Sequence, residues 1–307
     1  MNNEKNEYKG IMLSKRANVY YLEHTKVVLV NDVVMFLCIN SNQAFNIPQF
    51  NTSFVLLGKG TSITDSAARK LADSNVMLGF CGSGGSPLIS CTDITLLYPQ
   101  TCDKPTEYIQ EYITKWVNPE SRFLMSKKLF ELRVDINYKA WENNLLLKER
   151  NIKLPDKNII LKQLDKSTDI KQLLGHEGNF AKHLYSLLAK GFNIGGFKRD
   201  HEAIGGNLHD TINKNLNYGN YLAYGYASVA LNGLGLNHGF PLLHGMTRKN
   251  ALVFDIADLI KDAFIMPFAF SHSTGDSIKF RQDCMEMCRD KEILDILFDN
   301  LKKVVLI

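Results

Sequence analysis

At 307 residues, with 45% hydrophobic and 22% charged residues, the chain is long enough for two domains of ordinary size and apolar enough to bury a core in each. The formal net charge of +4 is too small to mark a nucleic-acid binder and too small to exclude one, and the six cysteines show no C-x-x-C or Cys/His zinc spacing. A polar N-terminus, and no apolar run approaching about eighteen residues, argue against a signal peptide or a membrane span. The expectation is a cytoplasmic protein with reduced thiols.

The first third reads as sheet. V-V-L-V from Val27 and V-V-M-F-L from Val33 flank Asn31-Asp32, a two-residue turn between β-branched runs, which predicts a β-hairpin. Residues 54–57 form another short apolar strand, G-K-G-T-S-I-T follows, and a helix over about 65–74 leads to a strand at 76–80. Neither glycine cluster has the spacing of a nucleotide loop. A phosphate-binding loop needs Gly five positions before Gly58 and Ser or Thr after Lys59, where Ser53 and Gly60 stand; in C-G-S-G-G-S-P, Pro87 stands where a dinucleotide fingerprint needs its third glycine. Both are read as tight turns.

Pro99 and Pro105 bracket a polar stretch over residues 96–105 that reads as a linker. Beyond it, residues 108–117, 123–138 and 141–149 carry apolar positions at three and four spacing. The fold expected is α+β: a β-rich N-terminal domain over 1–103, then a larger all-α domain over 104–307. Residues 122–171 hold twelve Lys and Arg against seven Asp and Glu, either a solvated helix face or a nucleic-acid surface. Residues 198–209 lack periodicity and read as a mobile surface loop, and Cys284 with Cys288 at i, i+4 read as core.

The chemistry concentrates in H-G-M-T-R-K-N-A-L-V-F-D-I-A-D, from His244 to Asp258. Asp255 and Asp258 are three apart in a helical segment, so both carboxylates project from one face, and such a pair needs a cation or solvent to compensate it. His244 precedes the helix and can supply a neutral imidazole, while Arg248 and Lys249 add positive charge. Oxygen ligands with one imidazole suit Mg²⁺ or Mn²⁺ acting on a phosphate. A further anchor is Glu177 in L-L-G-H-E-G-N-F-A-K-H-L-Y, placed at a helix start after Gly175, with Lys182 and Tyr185 further along. Glu177 reads either as a ligand or as a partner of the helix dipole; the remaining histidines read as core or surface.

L-L-G-H-E-G-N-F-A-K, N-Y-G-N-Y-L-A-Y-G from Asn217, L-L-H-G-M-T-R-K-N-A-L-V-F-D-I-A-D-L-I-K-D from Leu242, and F-V-L-L-G-K-G-T-S-I-T-D-S-A-A-R from Phe54 together resemble the Cas1 family of CRISPR-associated integrases. The opening L-S-K-R-A-N-V-Y-Y-L-E-H is similar to its type I-F subtype. The resemblance implies metal ligands at Glu177, His244 and Asp258, with Asp255 as the additional acidic residue. It also implies a homodimer built through the N-terminal region and transesterification of a prespacer 3′-hydroxyl, in double-stranded DNA, onto a CRISPR repeat. Lys182, Arg248 and Lys249 become candidate DNA contacts, and the partner implied is the Cas2 adaptation protein, fused in type I-F systems to the interference helicase-nuclease. Lys59, Asp65 and residues 193–200 depart from the family pattern without touching the metal set. The alternatives are a metal-dependent branched-DNA nuclease of repair and a catalytically idle assembly subunit.

Overall fold

The computed structural model describes residues 18–39, 43–80, 95–97, 106–202, 206–245, 250–274 and 276–307. The chain divides into two compact units, Met1–Asp103 and Lys104–Ile307. The architecture is α+β as expected: strands in the first unit, helices in the second.

In the first unit, β2 (Thr25–Val30) and β3 (Val33–Cys38) pair antiparallel with Val30 opposite Val33. The turn residues Asn31 and Asp32 both have positive φ, 50° and 65°. That is the backbone a two-residue hairpin requires, and Asn and Asp tolerate it. β3 also pairs with β4 (Ala44–Asn46), and β2 with β6 (Ser62–Ile63). In the second sheet, β5 (Thr52–Leu57) lies parallel between β1 (Asn18–Leu22) and β7 (Met77–Phe80), and β8 (Thr95–Leu97) runs antiparallel on β7. All six β5 residues are buried, as a central parallel strand demands, which explains its continuous apolar run.

The helix α1 (Asp65–Asp73) begins where Thr64 caps the Ala67 amide. It sets Ala67 and Leu71, four apart, into a core shared with Val27, Val34 and Val55. The first glycine cluster is a turn: Gly60 has φ +70°, and a Cβ there would meet the His24 ring at 2.5 Å. The second cluster lies outside the described residues. The linker expectation is corrected at its start, because Leu96 and Leu97 are strand residues.

The second unit contains α2 (Thr106–Val117), α3 (Pro119–Glu142), α4 (Leu145–Glu149), α5 (Lys157–Asp165), α6 (Ile170–Gly191), α7 (Leu208–Gly233), α8 (Ala251–Ile260), α9 (Met266–Ser271), α10 (Ser277–Asp290) and α11 (Ile293–Val305). Residues 141–149 are two helices rather than one, since the Asn144 side chain accepts from Leu147 N–H and starts α4 after α3 has ended. Every residue of α8 is buried. It packs between α7 and α3, which makes it the axis of the unit. Between α8 and α9, Lys261–Ile265 widens into a π turn in which the Met266 amide donates to the Lys261 carbonyl. Pro267, lacking an N–H and crowding the carbonyl four residues back, gives that turn a local cause.

The start of the expected mobile loop is instead tied to α7. Arg199 donates to Asn213 and Asn217, while those two amides hold the Lys198 and His201 carbonyls. Cys284 and Cys288 are buried. Among the described residues no helix is long and apolar enough to cross a membrane.

Candidate functional site

Helix α8 holds Asp255 and Asp258 in an interior where an uncompensated carboxylate would be costly. Each has a different solution. Asp255 accepts the backbone N–H groups of Leu242 (2.6 Å) and Leu243 (3.2 Å) on Oδ2, and on Oδ1 the N–H of His244 (3.1 Å) and its Nδ1 (2.5 Å). It therefore shapes the chain before α8 and orients the imidazole, with no solvent exposure of its own side chain. With Nδ1–H donating to Asp255 Oδ1, the neutral ring carries its lone pair on Nε2, the arrangement typical of a metal-binding histidine. Asp258 instead receives Lys261 Nζ on Oδ1 at 2.5 Å and Arg133 Nη1 on Oδ2 at 3.5 Å.

Arg133, on α3, joins this group to α6. Its Nη1 donates to Glu177 Oε1 at 2.7 Å, and its Nε and Nη2 both reach Asp262 Oδ2, at 2.8 and 2.6 Å. Asp262 sits in the π turn, whose backbone is also held to α3 by Trp141 Nε1 on the Asp262 carbonyl at 3.0 Å. Glu177 is not at a helix start: α6 begins at Ile170 behind the cap Asp169, so the glutamate lies two turns in. The helix-dipole alternative for Glu177 falls with that placement, because the dipole acts within the first turn.

The charges are mutually adjusted. Burial would raise the Asp258 carboxyl, but Lys261, Arg133 and His244 outweigh it and hold it below the usual range. Burial raises Asp262, with Arg133 offsetting only part. His244 is raised by its hydrogen bond to Asp255, against the opposing effect of burial, with further help from Asp258 and Glu177. Lys261 and Arg133 are pulled down by burial and more than restored by the carboxylates around them.

Arg133 and Lys261 thus face three carboxylates, Glu177, Asp258 and Asp262, while Asp255 faces His244, so the cluster of four carboxylates and two cations carries a formal charge of −2 when His244 is neutral. One divalent cation matches that deficit, and two carboxylates with one oriented imidazole are a suitable donor set for Mg²⁺ or Mn²⁺. The residues fit such an ion by chemistry and charge. They are not drawn together as a ligand cage: among the described residues no group of three or more His, Cys, Asp or Glu stands positioned to hold a metal, since Arg133 and Lys261 occupy the carboxylates.

Of the other expected residues, Lys182 is exposed on α6, about 140° around the helix from Glu177. Tyr185 lies within electrostatic reach of Asp262 and Lys261. Arg248 and Lys249 lie outside the described residues. In the basic stretch, Arg133 is buried in the site, and Lys127, Lys128 and Lys157 pair with Asp165, Glu131 and Asp135. Sequence reasoning missed Arg133, Lys261 and Asp262. Lys261 was findable, at i+3 from Asp258 on one helix face; Arg133, amid the apolar run of α3, offered only its odd company.

The family model of CRISPR associated protein Cas1 matches residues 20–300. The CRISPR-associated endonuclease Cas1 of Pectobacterium atrosepticum is 38% identical over 312 residues, covering 97% of this chain and 95% of that protein. Among solved structures, a TtCas1–DNA complex superposes with a TM-score of 0.67 at 19% identity, covering 94% of this chain and 91% of the other. A casposase bound to its integration product gives 0.65 at 20%, covering 83% and 72%. These two likenesses show a shared fold. Matched along nearly its whole length by the family model and by a relative of this identity, the chain belongs to the Cas1 family of CRISPR-associated proteins.

Proposed function

We propose that this protein is the integrase of CRISPR adaptation: a divalent-metal-dependent DNA endonuclease and transesterase that joins prespacer 3′-hydroxyls to the repeat. The observation that carries this reading is the convergence of Glu177 and Asp258 on one guanidinium, beside a His244 whose Nδ1 is fastened to Asp255. The names of the relatives support it, one an endonuclease, another a casposase bound to an integration product.

Glu177, His244 and Asp258 would hold a Mg²⁺ or Mn²⁺, which supplies Lewis acidity toward a phosphodiester and toward a hydroxyl. The chain's own contribution is placement. Asp255 fixes the imidazole tautomer, so that in the neutral ring the proton is on Nδ1 and the lone pair is on Nε2. Lys261 and Arg133 neutralise carboxylate charge that would otherwise repel a polyanion. In the reaction the prespacer 3′-oxygen forms a bond to the repeat phosphorus, the phosphorus bond to the old 3′-oxygen breaks, and the hydroxyl proton ends on that leaving oxygen. One phosphodiester is lost and one gained.

DNA would be held by its backbone, with Lys182, Arg248 and Lys249 as candidate contacts, because prespacers differ in sequence. The assembly we infer is a homodimer through the N-terminal unit, working with Cas2, fused to the interference helicase-nuclease in the type I-F arrangement. The test is strand transfer of a labelled duplex into a supercoiled repeat-bearing plasmid with Mg²⁺ or Mn²⁺, with and without that partner, beside Glu177→Ala. Metal-dependent joining that the variant loses is the expected result. Cleavage of branched DNA without joining, even with the partner, would establish the nuclease alternative, and tight DNA binding with no strand chemistry the idle subunit.

A further inference from the structure

Glu177 and Asp258 belong to helices far apart in sequence, and α3 is the element that packs on both α6 and α8. Arg133 is the residue of α3 that reaches them together. Its guanidinium is committed on one edge to Asp262, through Nε and Nη2, which leaves Nη1 directed at Glu177 (2.7 Å) and Asp258 (3.5 Å). The side chain is only 5% exposed, and the Asp262 end is itself held by Trp141 from the same helix, two turns further on. A planar fork clamped at one edge cannot follow a moving carboxylate as a lysine ammonium could.

We propose that Arg133 is a positioning residue that ties Glu177 to Asp258 through one shared donor, so that the divalent cation, on displacing that contact, finds both carboxylate ligands side by side and Glu177 already ordered. This rests on the reading of Glu177, His244 and Asp258 as ligands, and adds a residue outside that set. Glu177 has three rotatable bonds. Without the Nη1 contact it must be ordered when the cation arrives, and that cost lowers affinity. The opposing effect of Arg133, Coulombic competition with the incoming cation, is kept constant by exchanging it for another cation.

The experiment is calorimetric titration of Mn²⁺ into the metal-free full chain for the wild type, Glu177→Ala, Arg133→Lys and Asp262→Glu, with far-UV circular dichroism and a thermal melt on each. Arg133→Lys keeps the charge and loses the fork, and should weaken the Mn²⁺ Kd by about tenfold or more, the usual effect of removing a support of a metal ligand. Asp262→Glu keeps the charge and displaces the clamp, and should weaken it severalfold. A purely structural role would lower the melting temperature of Arg133→Lys and leave the Kd of the folded protein unchanged; a Kd within twofold of wild type, or tighter, overturns the proposal. If Arg133→Lys does not fold, an unchanged Kd in Asp262→Glu overturns it equally. Wild type that binds no Mn²⁺, or Glu177→Ala that binds like wild type, removes the metal reading and this inference with it; binding lost in Glu177→Ala but unaltered in the other two removes the inference alone.

Discussion

Asp255→Asn separates a structural from a chemical role for the second acidic residue of the site. The carboxylate makes four hydrogen bonds, two on each oxygen, with no exposure to water. In the variant the amide oxygen can take the place of Oδ2 and keep the Leu242 and Leu243 amides, but without the charge that strengthened them, a loss of about 1 kcal/mol in total. The NH₂ group then faces the His244 amide, leaving a buried donor unsatisfied at a cost of about 1–3 kcal/mol. It also faces Nδ1, which can satisfy it only by becoming an acceptor, moving the imidazole proton to Nε2. The expected destabilisation is about 3 kcal/mol, or about 6–12 °C in melting temperature for a unit of this size.

Urea unfolding in the presence of chelator measures the first effect, and imidazole nitrogen shifts measure the second. Strand-transfer activity should be lost even where the variant is fully folded, because Nε2 no longer offers a lone pair. A variant within about 0.5 kcal/mol of wild type and still protonated at Nδ1 would refute this account of Asp255.

The His244 pKa is raised above its ordinary 6.5 by Asp255, with Asp258 and Glu177 adding to it. Its contribution to metal-free stability is therefore fully present below that ordinary value and is lost as pH rises through the higher folded value. Under the ligation proposed for His244, proton and cation compete for the imidazole, so Mn²⁺ affinity is expected to have the opposite slope and to climb over the same interval. Melts of wild type against His244→Gln in chelator, from about pH 5.5 to about 9, check the first, and a difference that does not change with pH would refute it. In Gly219→Ala, the new Cβ would stand 2.4 Å from Ile265 Cγ2, where α7 meets the π turn. A gain of about 1 kcal/mol in helix propensity is set against overpacking of about 1–3 kcal/mol on a branched, buried side chain; urea denaturation should show net destabilisation, and a more stable variant would show that the π turn yields.

Much of the local structure was written in short-range pattern. The Asn31-Asp32 hairpin, the apolar run of β5 and the helical spacing of α2 and α3 follow from turn chemistry and periodicity, which act over a few residues. Where the reading failed, the deciding signal was weaker than a competing one. Gly175 suggested a helix start, but Asp169, three residues after Lys166 closes α5, caps the Gln172 amide, and α6 runs straight through both Gly175 and Gly178. The aperiodic stretch after residue 198 looked mobile because nothing in sequence announces that Asn213 and Asn217, more than a dozen positions on, hold its backbone.

The same division applies to the site. Glu177, His244, Asp255 and Asp258 were nameable from residue type, spacing and family resemblance, since carboxylates and a histidine within apolar segments need a reason to be there. The sequence by itself determined which groups would be buried with charge. Only the tertiary structure decided how that charge is compensated: Asp255 by three backbone amides and an imidazole, Asp258 by Lys261, and Asp258, Glu177 and Asp262 together by an arginine from α3. The physical reason is that a buried ion takes whatever partner packing brings within about 3 Å, and for Arg133 those partners lie 44 and 129 residues away along the chain.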